Sequence, residues 1–189
     1  MTRCILITAF EPFGGESVYM SAEVLRLLPD RLSGWTVQKA LLPVVFGRAA
    51  EEALKTPADL IVLLGEAGGR RTVTPELRAR NFRDARIPDN AGHQPRQEKI
   101  LEIGPETYET PVPVEALCRQ MQQEGFEIEP SQDAGSYVCN DTFYLTGLQS
   151  PAPVSFIHIP AQPDQAEAYA RTVTRVIELA VEAVIHASV

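Results

Sequence analysis

Paired cysteines are missing from this sequence. Cys4, Cys118 and Cys139 are odd in number and widely separated, and no CxxC occurs, so neither a disulfide framework nor a zinc knot is available. That usage fits a reducing compartment, and a cytoplasmic location is the expectation, with no metal and no cofactor. Clustered basic residues are missing too. The 189 residues carry 25 acidic against 17 basic side chains, a net charge of −8, which argues against a nucleic-acid partner. No apolar run is long enough to span a bilayer, so no membrane partner is expected. The opening MTRCILITAFEPFGG breaks off at Glu11 and the turn PFGG, the pattern of a first strand rather than a signal peptide. Repeats, low-complexity tracts and linkers are absent, and the length suits a single domain over residues 1–189.

What is present alternates. CILITAF (4–10) and ADLIVLLGE (58–66) are continuous apolar runs, as expected of strands covered on both faces. TVQKALLPVVF (36–46) reads as a further strand. VSFIHIP (154–160) is another, with Phe156 and His158 on one face and Ile157 and Ile159 on the other. Between them, SAEVLRLLP (21–29), GRAAEEALK (47–55) and PVEALCRQMQQEG (113–125) read as helices, the last ending on Gly125 as its C′ residue. AEAYARTVTRVIELAVEAVI (166–185) carries an apolar stripe at helical spacing. FEIEP reads as the start of a strand leading towards GSYVC. Strands alternating with helices predict an α/β fold, a three-layer α/β/α sandwich around a twisted, mostly parallel mixed sheet. Residues 67–113 break the alternation. They are rich in Arg, Asn, Asp, Gly and Pro, and a loop this long inside a compact domain is expected to be ordered and functional.

Cys139 stands in GSYVCNDTFY, with strand formers Tyr137 and Val138 before it and helix starters Asn140, Asp141 and Thr142 after it. At a helix start, backbone N–H groups and the dipole favour the thiolate, the reactive form. The structural alternative is a small buried hydrophobe, and that reading is kept for Cys4 and Cys118. Of the three histidines, His93 lies in the polar loop and His186 near the C-terminus, which leaves His158 as the one held rigidly on a strand. A cysteine–histidine pair usually has a third group that orients the imidazole, and Glu11, Glu66, Glu76, Asp84 and Asp89 are all open for that role. The clusters FGG (13–15) and GEAGG (65–69) follow buried strands and read as tight turns. Neither matches a phosphate-binding motif.

The blocks TAFEPFGG (8–15), GEAGGR (65–70), TPELRARN (74–81), ARIPDNAGHQP (85–95), AGSYVCN (134–140) and FIHIP (156–160), in this order, resemble the pyroglutamyl peptidase I family across essentially the whole chain. The resemblance implies an intracellular cysteine peptidase that removes an N-terminal pyroglutamyl residue from peptides. It further implies a homodimer or homotetramer of α/β/α domains. Carried over residue by residue, it implies Cys139 as nucleophile, His158 as base and then acid, and Glu76 as orienter. Arg86 would complete an oxyanion hole with the Cys139 N–H. Phe10 and Phe13 would wall the lactam pocket, with Tyr19, Glu66 and Tyr137 as further substrate-binding positions.

Two departures fall on that pocket. Tyr19-Met20 stands where the family usually has Asn-Pro, and Glu66 stands where it commonly has Gln. Either Tyr19 or a nearby backbone N–H then serves the lactam oxygen in place of that Asn, or lactam binding is weaker. The segments after Tyr144 and after Pro160 are also short. Two other readings stay open from sequence: a pyroglutamate-binding protein without turnover, and a nucleoside phosphorylase-like enzyme on a similar scaffold.

Overall fold

The structure is a computed structural model that describes residues 3–13 and 19–187; Gly14 and Gly15 of the first glycine cluster lie outside them. The strands are β1 (Cys4–Phe10), β2 (Arg31–Leu32), β3 (Trp35–Leu42), β4 (Leu60–Glu66), β5 (Thr74–Glu76), β6 (Arg78–Arg80), β7 (Thr107–Glu109) and β8 (Val154–Ile159). The helices are α1 (Met20–Leu27), α2 (Arg48–Leu54), α3 (Val114–Gln123), α4 (Val138–Gln149) and α5 (Ala166–Ala187). The main sheet runs β2-β3-β1-β4-β8-β5. Its four central strands are parallel to one another, while β2 and β5 pair antiparallel at the two edges. The sheet is therefore mixed and mostly parallel.

Two apolar cores flank it. On one face Ile5, Ile7, Val62, Leu64, Ile157 and Ile159 meet α1, α3 and α5. On the other, Leu6, Phe10, Ile61, Leu63 and Phe156 meet α2 and α4. The three-layer expectation holds, and it holds because both faces of β1, β4 and β8 are apolar. Fully burying each such side chain is worth about 1.5–3 kcal/mol.

Several boundaries differ from those expected. β3 stops at Leu42 because Pro43 has no N–H to continue the ladder. The segment FEIEP forms no strand; only isolated bridges, Val73–Ile128 and Glu76–Ser131, tie this stretch to the sheet edge. Residues 67–113 are ordered, as expected, but contain three short strands, one of which, β5, joins the main sheet. Tyr137 and Val138 are not strand residues. Gly135, at φ 86°, turns the chain, and Val138 already opens α4. Gly125, at φ 90°, sits just past the end of α3 in its expected C′ place.

Candidate active site

The C-terminal ends of the parallel strands, where open α/β sheets bind ligands, gather most of the residues singled out above. Alternation along β8 turns Phe156 and His158 to the α4 side. Thr74 of β5 lies opposite His158, and Glu76 lies opposite Phe156. From there the Glu76 carboxylate reaches the imidazole, with Oε1 2.7 Å from His158 Nδ1. Glu76 is fully buried and His158 nearly so. Of the five carboxylates open from sequence, Glu76 is the one hydrogen-bonded to this histidine, and it stands on a strand rather than in a loop.

Cys139 arrives from the other element. It is the second residue of α4, one place beyond Val138, and is partly buried against the core of that face. Its sulfur rests over Gly65 of β4. A Cβ at position 65 would lie 2.8 Å from Cys139 Sγ and 2.7 Å from Phe156 Cζ, so only glycine fits there. Gly65 is also the register partner of His158 on β8, and the imidazole lies 4.8 Å from the Phe156 ring, centroid to centroid. Thiol, imidazole and carboxylate thus share one corner of the fold. Gly65, which the sequence placed both at the end of a strand and at the head of the GEAGG turn, is a strand residue whose bareness admits the sulfur.

The electrostatics overturn one expectation. Burial, then the Glu76 carboxylate, push the Cys139 thiol up to about 12, and Glu66 adds to the rise. A backbone N–H at the helix start pulls the other way but does not prevail. Burial and the neighbouring carboxylates thus disfavour the ionised sulfur. Reaction at this sulfur needs a base to take its proton.

Aromatic rings border the thiol. Phe10, buried at the end of β1, and the partly buried Phe13, Tyr19 and Tyr137 all meet the same core as Cys139. Phe13 lies 5.5 Å from Tyr137, which meets Phe46 edge-on at 5.3 Å, and Phe46 in turn meets His93 at 5.7 Å. Glu66 accepts a 2.6 Å hydrogen bond from Met20 N–H, at the first turn of α1. Its carboxylate therefore serves that helix start as well as acting on the thiol. Arg86 is exposed, and its side chain makes no hydrogen bond or ion pair among the described residues. Its strand of loop is nonetheless held against the start of α4. Asp84 N–H donates to Ser136 O at 3.0 Å, and Tyr137 Oη donates to Pro88 O at 3.0 Å.

The sequence offered Asn140 and Asp141 only as helix starters and Asp89 only as one of five candidate carboxylates, and the structure gives all three other work. Asn140, beside the thiol, is fully buried; it accepts from Arg80 N–H and donates to the carbonyls of Arg80 and Phe82. Asp141 pairs with Arg83 at 2.5 Å and accepts Gly47 N–H at 2.7 Å. Asp89 accepts the N–H groups of Phe46, Ala91 and His93. The glycines before Arg70 read only as a turn, yet Arg70 Nη2 lies 3.2 Å from Glu76 Oε1. What each of these touches is set by chain segments distant in sequence.

A family profile described as pyroglutamyl peptidase matches residues 3–189. The chain belongs to the pyroglutamyl peptidase family. A pyrrolidone-carboxylate peptidase of Levilactobacillus brevis is 42% identical to it over 170 residues, covering 85% of this chain and 83% of that protein. One of Vibrio vulnificus is 41% identical over 176 residues, covering 88% and 82%. Among solved structures, pyroglutamyl peptidase I of Bacillus amyloliquefaciens superposes with a TM-score of 0.86 at 33% identity, covering 94% of this chain and 96% of that one. Pyrrolidone carboxyl peptidase of Pyrococcus furiosus gives a TM-score of 0.89 at 32% identity, covering 96% and 99%. The family is one of cysteine peptidases, and this chain is accordingly a hydrolase of that kind. A phosphorylase-like activity finds no support in these matches. No helix among the described residues is long and apolar enough to cross a membrane.

Proposed function

We propose that this member of the pyroglutamyl peptidase family hydrolyses the amide bond after an N-terminal pyroglutamyl residue, with Cys139, His158 and Glu76 as the reacting set. The observation that carries the reading is the 2.7 Å bond between His158 Nδ1 and Glu76 Oε1, opposite the glycine over which the Cys139 sulfur rests. Glu76 fixes the imidazole with its Nδ1 towards the carboxylate, which leaves Nε2 to face the reacting groups.

His158 takes the thiol proton as the sulfur attacks the pyroglutamyl carbonyl carbon. The Cys139 N–H and the Arg86 side chain would receive the negative oxygen of the tetrahedral intermediate. A donor of this kind is typically worth about 3 kcal/mol. The imidazolium then gives its proton to the departing amine, and the C–N bond breaks to leave a thioester on Cys139. Water, deprotonated by His158, cleaves the thioester and restores the thiol.

Pyroglutamate has no charged amine to hold. The apolar wall of Phe10, Phe13 and Tyr137 suits a neutral lactam ring, with Tyr19 and Glu66 as the polar positions at its edge. The protein would act as one domain in the cytoplasm, as a homodimer or homotetramer, on peptides blocked by pyroglutamate. Hydrolysis of a pyroglutamyl chromogenic amide by wild type and by Cys139→Ala tests the reading. The variant is expected to lose at least about 10³-fold in kcat, and equal rates would sink it.

A further inference from the structure

We propose that Arg70 is a positioning residue for this reaction: its guanidinium holds the Glu76 carboxylate in the orientation that fixes the His158 ring. The inference rests on the Cys139–His158–Glu76 reading and adds a fourth group to it. Arg70 follows a tight turn closed by its own N–H to Ala67 O at 3.0 Å, directly after the strand that carries Gly65. Its Nη2 lies 3.2 Å from Glu76 Oε1, 3.1 Å from Ser131 Oγ and 2.9 Å from Asp133 O. The arginine and the imidazole converge on the same carboxylate oxygen. Glu76 Oε2 is buried with no hydrogen-bond partner among the described residues.

Charge bookkeeping explains why such a group is needed. The Glu76 side chain is wholly inaccessible, whereas Arg70 keeps 33% of its side-chain surface. A buried carboxylate without a cation is costly and tends to pick up a proton. His158 cannot be that cation throughout, because it must be neutral to accept the thiol proton. Arg70 is charged at every working pH. It therefore stands as a permanent positive charge beside the Glu76 carboxylate while the imidazole cycles, and it offsets a carboxylate that otherwise disfavours ionised sulfur at Cys139. The charged or titratable groups that bear on the Glu76–His158 pair and its thiol are Arg70 from the turn after β4, Cys139 from α4, Tyr137 just before α4 and Glu66 from the end of β4.

The test compares Arg70→Gln, Arg70→Lys and Arg71→Gln with wild type on a pyroglutamyl amide. Arg70→Gln is expected to lower kcat by about 10- to 100-fold, the loss of one charge-assisted hydrogen bond, with KM within about twofold. Arg70→Lys keeps a cation and should recover most of kcat, still with KM unchanged. Arg71→Gln removes the exposed cation next in the chain and should stay within about twofold of wild type. Wild-type kcat in Arg70→Gln overturns the proposal, and so does a loss in Arg71→Gln as large as that in Arg70→Gln. Should Arg70→Gln not fold, a raised KM at unchanged kcat in Arg70→Lys overturns it instead. A second readout needs no substrate: the low-field proton of His158 Nδ1–H, bonded to Glu76, should be sharp in wild type and Arg70→Lys and broadened by exchange in Arg70→Gln. Identical resonances overturn the proposal even if wild type were silent on pyroglutamyl amides, a result that would count against the function alone.

Discussion

The site has two halves built in different ways. His158 and Glu76 stand on adjacent strands, both buried, their bond set by the register of β8 against β5. The ring-lined half is assembled from connections. Phe13 and Tyr19 flank the segment after β1, Phe46 precedes α2, and Tyr137 sits before α4, tied to Pro88 of the long middle loop. Strand register tolerates no slippage without turning side chains to the opposite face. Loops accept exchange at little structural cost. On the proposed reading, proton transfer is entrusted to the sheet and substrate choice to the loops, and Tyr19 and Glu66, where the resemblance implies departures, border the loop-built half.

Four changes would break or sharpen this contrast. The largest effect is expected from Glu76→Gln, which keeps the shape but removes the charge that orients His158. We expect kcat to fall on the order of 10³-fold with an unchanged melting temperature, and a fall in stability alone would mean the strand pair is structural. Next comes Arg83→Met in the loop-built half. It strands the Asp141 carboxylate, which is wholly buried beside Arg83, and should cost about 3–5 kcal/mol in urea unfolding. Stability within 1 kcal/mol of wild type would show the pair to be dispensable.

The third change is pH. Only the thiolate is alkylated, and the Cys139 thiol is pushed up to about 12. Iodoacetamide labelling should therefore keep climbing past pH 9, and a plateau near neutrality would reveal a standing ion pair with His158. The same shift has a stability sign. The folded protein holds a proton that an unfolded cysteine, at about 8.5, gives up. That contribution is complete below pH 8.5 or so and is lost as pH rises towards 12, so Cys139→Ala should flatten the alkaline loss of stability. The smallest effect belongs to Tyr137→Phe, which keeps the ring but frees Pro88 O. One hydrogen bond is worth about 1 kcal/mol, so KM should rise about fivefold with kcat little changed. An unaltered KM would place the Tyr137 hydroxyl outside substrate binding.

Sequence pattern read some elements well for physical reasons. β1, β4 and β8 are short and apolar on both faces, and α5 carries a stripe of apolar side chains along one side. The helix start signalled by Asn140, Asp141 and Thr142 falls about two residues late of the true one at Val138 because that helix is buried almost all round, from Val138 through Thr146 apart from the partly buried Cys139. With no polar face, there is no helical period to read, and Tyr137-Val138 then look like a strand. β5 to β7 have three residues each, too few to show alternation. Cys139 and His158 stood out by residue type and setting. Glu76 was one of five open carboxylates until the family resemblance selected it, because its partner is 82 residues away. Arg70, Asn140 and Asp141 act through contacts across the chain that no local pattern announces.

The bare backbone at Gly65 carries a lesson for anyone wishing to retune this peptidase. Mutant libraries can roam through the ring-lined loops, and the Cys139 sulfur will stay where it is. A single methyl at residue 65, by contrast, would evict that sulfur from its seat and spoil every downstream gain. It is the fixed point around which substrate preference is free to drift.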